Sequence, residues 1–523
     1  MQLLHRSLIL LAVGLLFVPP SAAEILPREE VVTGSDGLRY ARTVCANAAR
    51  PMEDARPPVF AGSRGVNEYL WLDRDHGNAI AENVAISGDG RYGIAGWWLN
   101  DRRASLYRVS GGSGEPEWSR PMAHAEFQIS VDADQPGSRL TTTARGESLF
   151  VFGAQSPDPI YADWFSPPYA GRHCGVSDEG TTFAGTGANP EGIGGELRVY
   201  DGSTGALRFI RTLPAQPEGL SVSADGQVVA ANASGFVKIW DAITGALRDS
   251  ISIPGETGVP AVLSADGSSL VTGDYSRNVR LYHWNGSEYV EQWTHPIPGT
   301  TSVTALAISG DGTTIVAGTW TNPTGGRVVV YDQANPSPLW VDSSFGDEVA
   351  SVAVAPDGGK IAAACWGRRD GTVGNVVSVY ERSSPLPLWT IGDDAIAGVG
   401  SCMSVDLSDD GRFLLAGGKA VHAREFGTGG FVLAIAVTGP TGVPDLFEAP
   451  VLTARPNPFR GSLHLGGSDR GFSVWSADGR RIRALVGSLW DGRDGAGRAV
   501  PAGIYLIRGA DGETAPIRVV RIR

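Results

Sequence analysis

Short stretches in which apolar and polar residues alternate recur along most of the chain, and each runs into a tight-turn signal. One copy reads Val84-Ala-Ile-Ser-Gly-Asp-Gly90 and a later one reads Leu306-Ala-Ile-Ser-Gly-Asp-Gly312. An alternation with a period of two is typical of a half-buried β-strand. Asp-Gly favours a hairpin, because glycine tolerates positive φ and aspartate bonds its own backbone. Each copy therefore predicts a strand, a tight turn and a second strand.

Eight copies of this motif can be aligned, although two of them are weak. The weaker copies are Cys174-Gly-Val-Ser-Asp-Glu-Gly180 and Thr141-Thr-Thr-Ala-Arg-Gly146. Counted on the final glycine of each copy, the steps are 56, 34, 46, 41, 45, 46 and 53 residues. The uneven first two steps leave the number of repeats open between seven and eight.

Two further strands are predicted in each repeat. A third strand is seen in segments such as Val237-Lys-Ile-Trp-Asp241 and Val328-Val-Val-Tyr-Asp332. The fourth often carries tryptophan, namely Trp118, Trp293, Trp340 and Trp389. Four short antiparallel strands at a step near 45 residues form the blade of a β-propeller. We therefore expect an all-β chain with a seven- or eight-bladed β-propeller over residues 65–438; a tandem of β-sandwiches is the alternative.

The ends of the repeated region predict how the ring closes. The last repeat stops after its third strand, Phe431-Val-Leu-Ala-Ile-Ala-Val437, and Glu68-Tyr-Leu-Trp-Leu72 resembles a fourth strand that precedes the first repeat. Pairing the two would remove the open edges that a ring otherwise leaves. We expect both segments in one composite blade.

The Ser-x-Asp-Gly turns and the Val-Tyr-Asp third strands resemble the WD40-like and YVTN/PQQ-like propellers of bacterial exported proteins. The chain departs from true WD40 repeats, because the Gly-His signature is missing and only Trp240-Asp241 provides the dipeptide at the end of a third strand. The resemblance implies the fold, and the scaffold functions of cytoplasmic WD40 proteins do not follow from it.

A different pattern begins after the linker at residues 439–450. Residues 451–523 contain Asp-Gly turns and period-two strands such as Phe472-Ser-Val-Trp475, which predict a small antiparallel β-sandwich. Pro456-Asn-Pro-Phe459, Trp490-Asp-Gly-Arg-Asp494 and Pro501-Ala-Gly-Ile-Tyr505 resemble the FlgD-type Ig-like domain and the type IX secretion (Por) sorting domains. That resemblance implies sorting through secretion machinery or attachment at the outer surface; a plain Ig-like appendage is the alternative.

The N-terminus predicts export. An apolar run from Leu8 to Val18 ends at a proline pair and is followed by Ser21-Ala-Ala23, as in a signal peptide spanning residues 1–23. The run is too short for a membrane anchor, since a spanning helix needs about 20 apolar residues. We expect an extension at residues 24–64 and a mature chain, secreted or cell-surface and associated with the outer membrane, that has no transmembrane segment.

An oxidising compartment permits disulfides. The pairing of Cys45, Cys174, Cys365 and Cys402 stays open, although Cys365 and Cys402 fall in neighbouring repeats. The formal charge of −13 and the pI near 5.2 argue against nucleic acid as a partner, because phosphate binding needs a basic surface.

The sequence contains no recognisable catalytic motif. A nucleophile elbow, a phosphate-binding loop and a His-Glu-x-x-His segment are all missing, and Gly418-Lys419 lacks the glycine and hydroxyl of a phosphate loop. Asp73-x-Asp75 and Asp132-x-Asp134 offer oxygen ligands but lack the full calcium loop. We predict no catalytic residues, no metal and no cofactor.

One alignment predicts a binding face. Second strands end at Trp98, Tyr275, Trp320 and Trp366, and polar loops containing Arg103 and Arg369 follow two of them. Aromatic rings beside arginine suit a protein, peptide or glycan ligand; rings that only cover the seams between blades are the alternative. The leading hypothesis is thus an exported binding propeller. The alternatives are a propeller enzyme, quinoprotein-like or carbohydrate-active, and a surface-layer spacer.

Overall fold

A computed structural model of the chain is built from β-strands and turns. It describes residues 28–33, 39–44, 69–74, 79–99, 101–122, 129–144, 148–165, 170–189, 194–233, 235–253, 261–321, 325–368, 374–392, 400–425, 429–437, 453–455, 457–466, 472–476, 480–485, 489–509 and 517–522. Within these ranges there is no helix, and so none with the length and apolarity needed to cross a bilayer. The all-β prediction is confirmed for them.

The strands follow one another as antiparallel meanders. The first two, β1 (Arg28–Thr33) and β2 (Arg39–Val44), form a two-stranded sheet, and β3 (Tyr69–Asp73) opens the repeated region. Seven four-stranded sheets come next in the described chain. Sheet 1 contains β4 (Ala79–Ile86), β5 (Tyr92–Leu99), β6 (Arg103–Arg108) and β7 (Pro116–Pro121); sheet 2 contains β8 (Ile129–Ala133), β9 (Leu140–Ala144), β10 (Leu149–Gly153) and β11 (Ser156–Asp163); sheet 3 contains β12 (Ala170–Val176), β13 (Thr182–Ala188), β14 (Gly195–Asp201) and β15 (Leu207–Leu213).

The next four sheets have the same composition of four strands. Sheet 4 contains β16 (Pro217–Val222), β17 (Val228–Ala233), β18 (Phe236–Asp241) and β19 (Leu247–Ser252); sheet 5 contains β20 (Val262–Leu263), β21 (Ser269–Gly273), β22 (Asn278–Trp284) and β23 (Tyr289–Pro296); sheet 6 contains β24 (Ser302–Ile308), β25 (Thr314–Trp320), β26 (Gly326–Asp332) and β27 (Asn335–Phe345); sheet 7 contains β28 (Val349–Val354), β29 (Lys360–Cys365), β30 (Asn375–Glu381) and β31 (Trp389–Gly392).

Sheet 8 joins the two ends of the repeated region. It contains β32 (Ser401–Leu407), β33 (Phe413–Lys419) and β34 (Phe431–Ala436), and its fourth strand is β3. Tyr69 pairs with Ile435 and Asp73 pairs with Val432 in an antiparallel register. The predicted composite sheet is confirmed.

The sheets follow one another in a closed order. The first strand of each sheet contacts the first strand of the next, and β32 of sheet 8 contacts β4 of sheet 1. Apolar side chains fill each of the eight junctions between adjacent sheets, including the junction of sheets 8 and 1, where Trp71, Trp97 and Leu415 are buried together. This closed series of sheets in the described chain is consistent with a β-propeller.

The Ser-x-Asp-Gly turns form because their side chains replace missing backbone partners. In sheet 6 the hydroxyl of Ser309 donates to the Asp311 carboxylate at 2.5 Å and accepts the Thr314 N–H at 2.9 Å. Gly312 has a φ of 75°, a conformation that costs most other residues energy. The motif therefore sets both the turn and the register of the two strands that flank it.

The weakest copy of the turn motif is assigned to the wrong pair of strands, since its residues follow the first turn of sheet 2 instead of forming it. Residues 141–144 of the weakest copy lie inside β9, and the turn of sheet 2 is formed by Asp134-Gln-Pro-Gly137, where the Gly137 N–H donates to the Asp134 carbonyl at 3.1 Å. Asp134 takes the place of the usual serine and accepts the Ser138 N–H at 2.6 Å. Counting on Gly137 changes the irregular steps to 47 residues from Gly90 and 43 residues to Gly180.

An aromatic contact repeats where outer strands of neighbouring sheets meet. Trp340 of sheet 6 lies 5.1 Å from the Tyr380 ring of sheet 7, and its indole N–H donates to the Arg382 carbonyl at 2.7 Å. The Tyr380 hydroxyl in turn donates to Asp342 at 2.6 Å. The fourth-strand tryptophans thus join one sheet to the next.

The C-terminal region contains two small sheets around a shared core. One sheet contains β35 (Thr453–Arg455), β36 (Leu463–Gly466) and β39 (Leu489–Trp490); the other has the order β38 (Arg481–Leu485), β37 (Phe472–Ser476), β40 (Gly503–Gly509), β41 (Ile517–Arg521). Phe459, Trp490 and Val519 from these segments are buried in one apolar cluster. The signal-peptide region, the linker and Cys45 lie outside the described residues.

Candidate functional site

The aromatic residues aligned in the sequence occupy equivalent register positions. Trp98 pairs with Ile80 and Trp320 pairs with Ser302. In both sheets one further residue pair separates this pair from the β-bulge in the first strand. Trp366 directly follows β29. All lie at the face where second strands leave for third strands and where one sheet connects to the next, which we call the crossover face. In sheet 8 the same position is taken by Lys419, which pairs with Ser401.

The guanidinium of Arg424 lies between two of these rings. Its Cζ atom is 5.0 Å from the ring centroid of Trp320 and 5.0 Å from that of Trp366. Its Nε and Nη2 donate to the two carboxylate oxygens of Asp347 at 3.2 and 3.0 Å. Arg424 comes from sheet 8, whereas the rings belong to sheets 6 and 7. We call Trp320, Asp347, Trp366, His422 and Arg424 the stacked-arginine site.

Asp347 is the buried carboxylate of this site and contacts both Arg424 and His422. It lies in the short connection between β27 and β28 and is fully buried. Burial alone would raise the pKa of its carboxyl, but the contacts with His422 and Arg424 outweigh burial and bring the pKa down to about 2. The carboxylate is therefore charged at neutral pH.

His422 is held in one tautomer by its neighbours. Its Nδ1 accepts the backbone N–H of Arg424 at 3.2 Å, and its Nε2 lies 3.1 Å from the Asp347 carboxylate. Because Nδ1 acts as an acceptor, the ring proton lies on Nε2, which is close to the Asp347 carboxylate but does not form a hydrogen bond of regular geometry with it. The imidazole is 2% exposed, so its role is to connect two loops.

Lys419 shapes the loop that carries His422 and Arg424. Its ammonium donates to the carbonyls of Ala423 at 2.9 Å and Glu425 at 2.8 Å. Desolvation lowers the pKa of this amine to about 8. Nearby, burial raises the pKa of Glu348 to about 7, although Arg424 opposes the shift. Lys419 thus holds the loop by two hydrogen bonds to its backbone, and Arg424 of this loop contacts sheets 6 and 7.

The two indole N–H groups of the stacked-arginine site have no acceptor among the described residues. Neither the indole N–H of Trp320 nor that of Trp366 meets a hydrogen-bond partner within the described ranges, and both nitrogen atoms are shielded from the surface. Nine in ten or more buried polar groups in proteins do find a partner. Together with Arg424, these donors suit a ligand that brings acceptor oxygens.

The other predicted site residues are not brought into this cluster by any described contact. Trp98 packs against the apolar core between sheets 1 and 2. Arg103 contacts Asp101 at 3.3 Å and lies over the ring of Trp97 at 5.5 Å. Tyr275, in sheet 5 beside the sheet of Trp320, is 50% exposed. Arg369 lies outside the described residues.

Arg424 and Asp347 were not predicted. Arg424 belongs to a run of polar residues, His422, Arg424 and Glu425, between β33 and β34, and the Gly346-Asp-Glu348 connection carries no repeat signature. The only sequence signal was the run of polar residues itself. Pairing across 77 residues cannot be read from such a run.

The other candidate ligand residues have local partners. Asp73 accepts the Tyr107 hydroxyl at 2.7 Å, and Asp134 belongs to the turn of sheet 2. Within the described ranges no three His, Cys, Asp or Glu residues are placed to hold a metal ion. Cys174, Cys365 and Cys402 are free, buried thiols.

No protein-family model matches this chain, and no curated protein is similar to it at a significant level.

Proposed function

We propose that this chain is an exported binding protein, in which an eight-bladed β-propeller of the WD40-like or YVTN/PQQ-like type carries the ligand site and a FlgD-type Ig-like module provides sorting or attachment. The closed series of eight four-stranded sheets supports the propeller. The two small sheets around one core support the Ig-like module.

The two unpartnered indole N–H groups beside Arg424 carry the binding proposal. A buried donor without an acceptor costs about 1–3 kcal/mol, and a ligand oxygen that reaches each indole when the ligand displaces the side chains that shield it would recover that energy. Nη1 of Arg424, the nitrogen that does not bond to Asp347, adds a third donor. The ligand is therefore rich in acceptor oxygens and comes from a glycan, a peptide or a protein surface.

The partners of Asp347 and His422 favour binding over catalysis. A general base must reach the proton that it removes, and a nucleophile needs a base within hydrogen-bond distance. Here Asp347 is occupied by Arg424, and His422 is almost fully buried. These groups stabilise the loop that places Arg424 between the rings.

The test is a screen of the secreted protein on glycan and peptide arrays with matched variants. Trp320→Phe and Trp366→Phe keep an aromatic ring but remove the indole donor. Each should weaken binding about fivefold, since one hydrogen bond is worth roughly 1 kcal/mol and a tenfold change corresponds to about 1.4 kcal/mol. Leu386→Ala is the control, because Leu386 is 63% exposed at the opposite end of sheet 7.

Array binding that both phenylalanine variants retain in full would contradict the assignment to this site. Binding lost equally in Leu386→Ala would contradict it as well.

The compartment is tested separately, by fractionating native cells and determining the mature termini by mass spectrometry. Cleavage after Ala23 is expected, and loss of the residues after about 445 would support sorting through the module. An intact C-terminus found in the periplasm would contradict that role.

A further inference from the structure

The four-stranded sheet of the C-terminal module, in the order β38, β37, β40, β41, has two chemically different faces. Its inner face supplies Phe472, Val474 and Ile507 to the buried core. Residues directly opposite each other on neighbouring strands share a face, and successive residues alternate between faces. The remaining positions of the four strands therefore project away from the core.

The pairing places three arginines on this second face. Arg481 is opposite Trp475, Arg508 is opposite Ser473, and Arg518 is opposite Leu506. A bulge between Val474 and Trp475 moves Arg481 to the outer side. We call this surface the arginine face; it consists of Trp475, Arg481, Ile504, Leu506, Arg508 and Arg518.

The arginines of this face carry uncompensated charge. Arg481, Arg508 and Arg518 are exposed, and none of them forms an ion pair within the described residues. Two other arginines of the same module are paired: Arg483 contacts Asp491 at 2.9 Å and Arg498 contacts Asp494 at 3.1 Å. Three arginines without an ion pair therefore share one face of the four-stranded sheet.

Apolar side chains lie among these arginines. The guanidinium of Arg508 lies over the Trp475 ring at 5.5 Å. Ile504 is 44% exposed, and its cross-strand partner Val520 is partly exposed. Aromatic and aliphatic groups interleaved with arginine are typical of surfaces that enter the headgroup region of a bilayer, where tryptophan and the apolar stems of basic residues are both favoured.

Charge is segregated between the two parts of the chain. Residues 451–523 contain twelve arginines, no lysine and six acidic residues, a net charge of +6. The whole chain has a net charge of −13, which leaves −19 for residues 1–450. An anionic bilayer repels the larger part and attracts the module, so the contact with such a surface falls to the module.

We propose that the arginine face docks on anionic lipid headgroups and holds the protein at a membrane surface. This inference rests on the attachment role proposed for the module and names the surface to which it attaches. The guanidinium groups bind lipid phosphates through paired N–H donors. Trp475 and Ile504 enter the interface between headgroups and acyl chains.

The experiment uses the full mature chain and vesicles of two compositions, pure phosphatidylcholine and an equimolar mixture of phosphatidylglycerol and phosphatidylcholine. The bound fraction is measured by cosedimentation at low salt. Binding to the mixed vesicles alone is expected. The triple variant Arg481→Gln, Arg508→Gln, Arg518→Gln should weaken it on the order of 100-fold, since each arginine near an anionic surface contributes about fivefold.

A matched triple variant controls for net charge. Arg460→Gln, Arg493→Gln, Arg498→Gln removes the same charge from exposed loops of the module and should change binding less than about threefold. Thermal unfolding of each variant shows whether the module remains folded. Trp320→Phe should bind vesicles as the wild type does, which separates this surface from the ligand site of the propeller.

Three results would overturn the proposal. The first is equal binding of the wild type to both kinds of vesicle. The second is an equal loss in the two triple variants, which would indicate net charge alone. The third is retention on polyglutamate beads without vesicle binding, which would assign an acidic protein as the partner. In each case array binding by the propeller remains a separate result.

Discussion

The indole of Trp71 stacks on the ring of Tyr107, with ring centroids 5.2 Å apart, and the Tyr107 hydroxyl donates to Asp73 at 2.7 Å. The same arrangement joins Trp340 and Asp342 of sheet 6 to Tyr380 of sheet 7. The closing contact between sheets 8 and 1 therefore repeats a contact made inside the repeated region. A strand from the N-terminal side thus completes the ring with the chemistry of an ordinary repeat.

Truncating the closing tryptophan should destabilise the whole repeated region. Trp71 is 3% exposed and donates to the Val109 carbonyl at 3.0 Å. Trp71→Ala should lower the free energy of unfolding by about 3–5 kcal/mol, the usual cost of deleting a buried large ring. Trp340→Ala should cost a similar amount in urea unfolding. A much smaller loss for Trp71→Ala would mean that the closing contact is weaker than its internal counterpart.

Asp406 should make stability depend on pH. Burial raises the pKa of this carboxyl to about 7, although the N–H groups of Ile86 and Leu407 oppose the shift. An aspartate in the unfolded chain has a pKa of about 4, so the folded state loses stability as the pH rises from about 4 through 7. Asp406→Asn stays neutral and should remove this loss. Urea unfolding at about pH 5 and pH 8 measures it, with exposed Asp158→Asn as the control.

Asp347 should stabilise the stacked-arginine site over a different pH range. The pKa of Asp347 is lowered to about 2, so its contribution is present above about pH 4 and is lost as the pH falls toward 2. Asp347→Asn should cost about 3–5 kcal/mol at neutral pH, because Arg424 would lose its carboxylate. Asp491→Asn, which breaks an exposed pair with Arg483, should cost less than about 1 kcal/mol. Equal costs in denaturant titrations would count against a buried anchor.

Three thiols should resist alkylation in the folded protein. Desolvation raises the pKa values of Cys174, Cys365 and Cys402 to about 12, and the reactive form of cysteine is the thiolate. Iodoacetamide should label these positions only after denaturation, as read by peptide mass spectrometry. Rapid labelling of Cys402 in the native protein would contradict the burial of the junction between sheets 7 and 8, and rapid labelling of Cys365 would contradict that of the junction between sheets 6 and 7.

The repeating turns could be predicted because their chemistry is local. Ser309, Asp311 and Gly312 satisfy one another within a few residues, and so the pattern is visible in the sequence. Asp134-Gln-Pro-Gly137 performs the same function with different residues, and a search for Asp-Gly therefore missed it. The closing strand was predicted because the last repeat has no fourth strand of its own, and because residues 68–72 resemble a fourth strand but precede the first repeat.

The candidate site could be predicted only in part. Trp320 and Trp366 follow from the repeat, since the register fixes where each second strand ends. Arg424 and Asp347 come from connections that differ between repeats, and their contact depends on how three sheets are arranged in space. No local pattern contains that information.

A designed disulfide tests the closed ring most directly. Leu72 of β3 is the register partner of Leu433 in β34. In the full chain carrying Leu72→Cys and Leu433→Cys, mild oxidation should give one intramolecular bridge, detected by mass spectrometry as a linked pair of tryptic peptides from a monomer. Leu72→Cys alone should form no such bridge. If the double variant forms no bridge, or forms one only between two molecules, the ends of the repeated region do not meet in one sheet and the ring is contradicted.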